Sequence, residues 1–206
     1  MRTAEQVLGI IHDRGKRGLP LEDVYRQLFN PELFLRAYGN IYRNDGAMTK
    51  GTTTETVDGM SEEKIRGIIA LLRQEKYRWN PVRRVNIPKK NNPAKTRPLG
   101  IPTWSDKLLQ EVIRQILEAY YEPQFDPHSH GFRPNRGCHT ALQEVYHAWR
   151  STTWFIEGDI KGCFDNIDHP VLLSIISESI RDNRFLRLRR DCSRPDTSRT
   201  GSTTRR

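Results

Sequence analysis

Apolar residues recur at helical spacing through the first part of the chain. Thr3 can cap a segment carrying Val7, Leu8 and Ile11. Leu21, Val24, Tyr25, Leu28 and Phe29 form a stripe, and Leu33, Phe34, Ala37, Tyr38 and Ile41 continue it after Pro31. Residues 3–43 therefore read as packed helix. Residues 44–60 are a loop rich in Gly and Thr. Ser61 then starts a helix with Glu62 and Glu63 in its first turn, at the positive end of the helix dipole, and a stripe at Ile65, Ile68, Ile69 and Leu72. Residues 82–88 alternate as a strand, 89–95 read as an exposed basic turn, and 96–102 read as the returning strand. Pro98 and Pro102 suit edge or strand-end positions of this hairpin. A helix from about Ser105 to Tyr121 follows, striped by Leu109, Val112, Ile113, Ile116 and Tyr120. After a loop dense in Pro, His, Gly and Arg, a helix over 140–150 places Leu142, Val145 and Trp149 on one face. Trp154 to Ile156 reads as a strand. Pro170 opens a last helix striped by Leu172, Ile175, Ile176 and Ile180. Trp104, Trp149 and Trp154 are expected in the core or at its rim.

The apolar pattern stops near Leu188. Residues 191–206 hold a single weakly apolar residue, Cys192, and are expected to be disordered, because they bury too little to offset the entropy of ordering. The chain of 206 residues suits one domain or two small subdomains.

Charge adds a partner class. Lys and Arg number 34 against 25 Asp and Glu, a net charge of +9, which points to a polyanion such as nucleic acid and does not separate DNA from RNA. Cys138, Cys163 and Cys192 share no spacing, which suits a reducing compartment and not a disulfide framework. No apolar run approaches the ~20 residues of a membrane span, and the first residues lack the apolar core of a secretory signal. The expectation is a soluble intracellular protein without a membrane partner.

Three segments could carry chemistry. The hairpin presents Arg83, Arg84, Lys89, Lys90, Lys95 and Arg97, which could converge on a triphosphate or a nucleic-acid backbone. Its lysines could equally protect a solvated edge from aggregation. The loop Gly131-Phe132-Arg133-Pro134-Asn135-Arg136-Gly137 could offer Arg133 and Arg136 to phosphates from a semi-rigid turn, with Phe132 as a packing anchor or a stacking surface; a purely structural loop is the alternative. The run Trp154 to Ile156 would deliver the Asp159 carboxylate at a strand end, a place suited to a hard cation; the plain alternative is a strand followed by an Asp- and Asn-rich turn. His128, His130, Cys138 and His139 do not form a zinc-finger spacing with a second matching half. His169, beside Pro170, reads as a cap or turn residue.

Taken together, the motifs resemble the reverse transcriptase/maturases encoded by group II introns. The matching series is Thr56-Val57-Asp58-Gly59, then Ile87-Pro88-Lys89-Lys90 with Lys95 to Pro102, then Gly131 to Gly137, then Asp159 to His169. The resemblance covers about residues 20–188. It implies an α+β chain forming the fingers and the start of the palm of a right-hand polymerase. The division would be an N-terminal helical extension over 1–43, fingers over 44–140, a partial palm over 141–190 and a basic tail over 191–206. Asp159 would be the first catalytic, metal-binding carboxylate, joined by the backbone oxygen of Ile160, at a Mg²⁺ pair. Lys89 or Lys90, with Arg97, would hold the triphosphate of an incoming dNTP. Phe164 would lie under its sugar. Residues 44–60 and the Gly131–Gly137 loop would contact template or primer backbone. Partners would be intron RNA, an RNA template and a DNA primer, in a bacterial-type cytoplasm or an organelle.

The sequence also departs from that family. It has no Pro-Gln-Gly motif, no Tyr-x-Asp-Asp turn and no Asp-Asp pair at all. Two-metal transfer needs several carboxylates around ions about 3.5–4 Å apart. Asp165 and Asp168 belong to the turn and the helix start in the family pattern. The expectation is a truncated reading frame, most simply through a frameshift near residue 189, whose product does not extend a primer. A non-catalytic RNA-binding module that assists intron RNA folding or splicing is the competing expectation.

Overall fold

The structure is a computed structural model that describes residues 2–44, 46–89, 92–163 and 166–192. Its elements in chain order are α1 (Ala4–Lys16), α2 (Val24–Gln27), α3 (Pro31–Tyr42), α4 (Glu62–Arg73), β1 (Arg83–Lys89), β2 (Asn92–Ile101), α5 (Trp104–Tyr121), α6 (Cys138–Ala148), α7 (His169–Ser179) and α8 (Asn183–Cys192). Lys90, Phe164 and the segment 193–206, three of the places where the sequence carries an expectation, lie outside the described residues. So does the side chain of Lys89.

Side-chain caps set most helix starts. Thr3 accepts from the Gln6 N–H at 3.2 Å while its own N–H donates to Gln6 Oε1 at 3.0 Å, a reciprocal box. Asn30, Ser61, Thr103 and Asp168 accept from the N–H groups of Glu32, Lys64, Asp106 and Val171 in the same way. The stripe from Leu21 to Phe29 yields only the four-residue α2. Asp23, in the left-handed region at φ 53°, breaks the helix ahead of it, and Leu21 instead forms a parallel bridge with Ile180.

One main core joins the helices other than α6. α5 lies at its centre, with Leu108, Leu109, Val112 and Ile116 fully buried against Leu28, Leu33 and Phe34 of the N-terminal helices, Leu72 of α4, and Ile180 and Phe185 near the C-terminal end. α1 crosses α5 so closely that a Cβ on Gly15 would stand 2.0 Å from the Tyr120 carbonyl oxygen. A satellite cluster of Ala47, Val57 and Trp104 ties the 44–60 loop to the start of α5.

The structure corrects several expectations. Trp154–Ile156 is not a strand: residues 152–160 have no regular secondary structure, and Trp154, Phe155 and Ile156 are largely or fully exposed. Among the described residues the sheet is the two-stranded β1–β2 hairpin, so an apolar run at 154 finds no ladder to join. α6 starts at Cys138, and its expected apolar face, Leu142 and Val145 with the neighbouring Trp149, faces solvent. Trp104 is buried as expected; Trp149 and Trp154 are not. The basic turn is shorter than expected, because pairing continues to Lys89 and resumes at Asn92. At the other end α8 runs to Cys192, so Asp191 and Cys192 are helical rather than disordered.

Candidate nucleic-acid interface

The hairpin register sorts its charges by face. Arg83 pairs with Ile101, Val85 with Leu99 and Ile87 with Arg97, so Arg83 and Arg97 share the face that carries Val85, Ile87 and Leu99. Arg84 pairs with Gly100 and lies on the other face, with Pro88 and Pro98. Lys95 lies in the irregular stretch between Asn92 and Thr96, where the register jumps. Arg83 and Arg97 are four ladder positions apart, roughly 13 Å at strand rise. The hairpin is thus a strip of charge with two faces, and Arg84 does not converge with Arg97 on a single triphosphate.

The two ends of the hairpin are fixed at one buried carboxylate. Asp106, 1% exposed at the start of α5, accepts from Tyr77 Oη at 2.7 Å, from Thr103 Oγ1 at 2.7 Å, and from the backbone N–H and Nδ2 of Asn80, both at 3.1 Å. Tyr77 and Asn80 precede β1; Thr103 follows β2. Burial, and then the charge of Asp106, push the Tyr77 hydroxyl well above the usual tyrosine range, so it remains a donor. Arg83 adds a second tie, donating to the Lys50 carbonyl from Nε at 3.0 Å and from Nη2 at 2.7 Å. The 44–60 loop comes so near that a Cβ on Gly51 would stand 2.5 Å from Pro102 O. Lys107, next on α5, is held below its ordinary pKa by burial and by the Arg83 charge.

In the Gly131–Gly137 loop the expected roles divide. Phe132, at φ 56° in the left-handed region, presents a fully exposed ring. Arg133 turns inward. Its side chain is 7% exposed, donates to Glu122 at 2.8 to 3.2 Å and to the carbonyls of Asp126 and Ser129 at 2.8 Å, and lies over the Phe125 ring. Arg136 donates to the Pro127 carbonyl. Arg133 braces the loop from a buried position instead of standing open to phosphate, whereas Arg136 ties the loop while staying partly exposed. Glu144 of α6 draws in the two histidines just ahead of this loop, His128 and His130, the latter at 2.7 Å. The hydrogen bond His128 donates to Glu144, and then the Glu144 charge, raise the His128 pKa, and the Glu144 pKa is lowered in return.

Asp159 and Ile160 are exposed in the irregular segment. Among the described residues no three His, Cys, Asp or Glu side chains gather where a metal ion could sit. The described residues therefore do not fit a Mg²⁺ pair. Sequence reasoning missed Asp106, although Thr103-x-x-Asp106 ahead of an apolar run is a capping signature. Glu122 and Glu144 left no such local signal.

Residues 87–200 match the family described as reverse transcriptase (RNA-dependent DNA polymerase). The chain belongs to this reverse transcriptase family. It is 53% identical over 165 residues to the group II intron-encoded protein LtrA of Lactococcus lactis subsp. cremoris, covering 80% of this chain and 27% of that protein. It is 46% identical over 161 residues to an uncharacterized 91 kDa protein in the cob intron of Schizosaccharomyces pombe, covering 78% of this chain and 20% of that protein. A nuclear intron maturase of Arabidopsis thaliana is 32% identical over 87 residues, 42% of this chain and 12% of that protein. The chain spans about a quarter or less of the length of these relatives. The motif-based expectation of a group II intron reverse transcriptase/maturase is the one they support, and the mix of helix and strand is consistent with a reverse transcriptase-like fold. No helix among the described residues is long and apolar enough to cross a membrane.

Proposed function

We propose that this chain is the nucleic-acid-gripping part of a group II intron reverse transcriptase/maturase, and that by itself it binds RNA without extending a primer. The observation that carries the reading is the exposed basic hairpin rooted on Asp106: both its ends are fixed, so Arg84, Lys95 and Arg97 ride on a rigid mount. Rigid presentation lowers the ordering entropy that each phosphate contact costs. In this reading the hairpin belongs to polymerase fingers, and Arg97, with Lys89 or Lys90, faces the phosphates of a nucleotide or of a template strand. Phe132 stacks on a base or sugar, on a loop that Arg133 and Arg136 brace. Phe164 keeps its family role under the sugar. Asp159, with the Ile160 carbonyl, marks the palm side. A lone exposed carboxylate does not hold two ions, so nucleotidyl transfer is not assigned to this chain. The likeness to a bacterial intron protein favours a cytoplasmic setting.

The test pairs RNA binding with primer extension. The chain should bind structured RNA with affinity that falls roughly 0.7–0.9 log units per phosphate contact per log unit of salt. Arg84→Gln with Arg97→Gln should weaken binding and flatten that slope. No primer should be extended on an RNA template with Mg²⁺ or Mn²⁺. A salt-independent affinity would sink the binding claim, and extension abolished by Asp159→Ala would sink the claim of inactivity.

A further inference from the structure

A second concentration of positive charge lies beyond the hairpin. A cleft of about 530 Å³ opens at the hairpin root, beside Val82 and Pro102, and runs to α8. Arg78, Arg184, Arg187 and Arg190 line it. The helix that carries three of them is firmly seated. Phe185 and Leu188 are buried, Trp79 Nε1 donates to the Leu188 carbonyl at 3.0 Å, and buried Asp182 caps the first turn by accepting from the N–H groups of Arg184 and Phe185. Arg184, Arg187 and Arg190 follow at three-residue steps, spread along roughly 9 Å of helix.

Their present partners are weak ones. Arg187 reaches Glu75 at 3.5 Å and Arg190 reaches Asp191 at 3.7 Å, with all four side chains about half exposed. Such pairs are solvent-screened and add little. Arg184 stands 3.9 Å from Asp182 and over the Tyr25 ring. Arg78 donates to the carbonyls of Glu75 and Tyr77, at 3.4 and 3.1 Å. Three carboxylates also line the cleft: Glu75 and Asp191 are the half-exposed partners just named, and Asp106 is taken up by Tyr77, Asn80 and Thr103. A phosphodiester would replace weak pairs with charge-assisted bonds, for which the planar guanidinium is well shaped.

We propose that this cleft is a second RNA-backbone site, taking phosphodiesters of the RNA that the hairpin holds. The inference rests on the nucleic-acid-binding reading and extends it to a surface that the family motifs do not include. The test uses the full chain and a short fluorescent RNA titrated at several salt concentrations. Arg184→Gln/Arg187→Gln/Arg190→Gln should flatten the log–log salt slope by roughly 2, at about 0.7 per lost contact. The matching triple Arg→Lys variant should keep most of the slope, since it keeps the charge. A control, Arg194→Gln/Arg199→Gln/Arg205→Gln, removes the same charge outside α8 and should flatten the slope much less. An unchanged slope in the α8 triple, with a wild-type circular dichroism spectrum, overturns the proposal. An equal effect from the control also overturns it, because charge count alone would then explain binding. If the wild-type chain binds no RNA, the hairpin reading falls along with the cleft. If Arg84→Gln/Arg97→Gln weakens binding while the α8 triple does not, the cleft alone falls.

Discussion

The helical core and the segment from α6 to residue 163 are similarly rich in apolar residues yet end in opposite states. Around α5, apolar residues from the other helices except α6 meet, and Leu108, Leu109, Phe34 and Leu72 lose all contact with water. In the other region Leu142, Trp149, Trp154 and Ile156 stay exposed, α6 buries none of its residues, and the run at 154 forms no strand. An apolar side chain gains from burial only when a second surface arrives to share it. A strand needs that even more, since its backbone bonds lie between chains of residues rather than within one.

Core truncation should separate the two regions most sharply. Phe34→Ala should cost about 3–5 kcal/mol, as the loss of a fully buried aromatic does, whereas Trp154→Ala should shift stability by less than about 0.5 kcal/mol. Urea unfolding of both variants checks this; a comparable loss in Trp154→Ala would mean that the exposed segment packs after all. Asp106→Ala should come next, at roughly 3 kcal/mol, because it removes the Asp106 acceptor from the buried hydroxyls of Tyr77 and Thr103 and unties Asn80. Hydrogen exchange should show protection lost across 83–101 before the core opens. Exchange that rises uniformly would show that Asp106 serves the core at large.

Gly15→Ala should cost about 1–3 kcal/mol by forcing α1 away from Tyr120. The same change at Gly9, whose Cβ would meet nothing, should be neutral or slightly stabilising. Equal thermal midpoints for the two variants would disprove the close crossing.

The smallest effect concerns the loop that joins the two regions. The His128 pKa is raised above its ordinary 6.5 by Glu144, so this pairing is fully present below 6.5 and is lost as pH rises through the raised value. Glu144 is lowered below its ordinary 4.5, so its share is present above 4.5 and lost as pH falls through the lowered value. Protection of the 126–137 loop should therefore fall on the alkaline side, and Glu144→Gln should abolish that dependence. An unchanged NMR titration of His128 in Glu144→Gln would rule the pairing out.

Local rules carried most of what was legible in the sequence. Thr3 and Ser61 announced their helices, and the alternation at 82–102 announced the hairpin, because caps and ladders between near neighbours depend on few distant contacts. The face of each hairpin charge was not legible, since it depends on a register that jumps after Pro88. Nor was the inward turn of Arg133, whose partner Glu122 belongs to another segment. The run at 154 departs from its expected strand for the same reason: its propensity is local, but its pairing is not.

The bridge between Leu21 and Ile180 also sets a timetable. Leu21 N–H donates to Ser179 O and its carbonyl accepts from Arg181 N–H, both at 2.8 Å, and the Tyr25 N–H waits on Asp182, 157 positions later. On the ribosome the N-terminal helices emerge first. They can collapse onto one another early, but the groove at Leu21 closes only after residue 182 has left the exit tunnel. Helices made early are thus among the last to be finished.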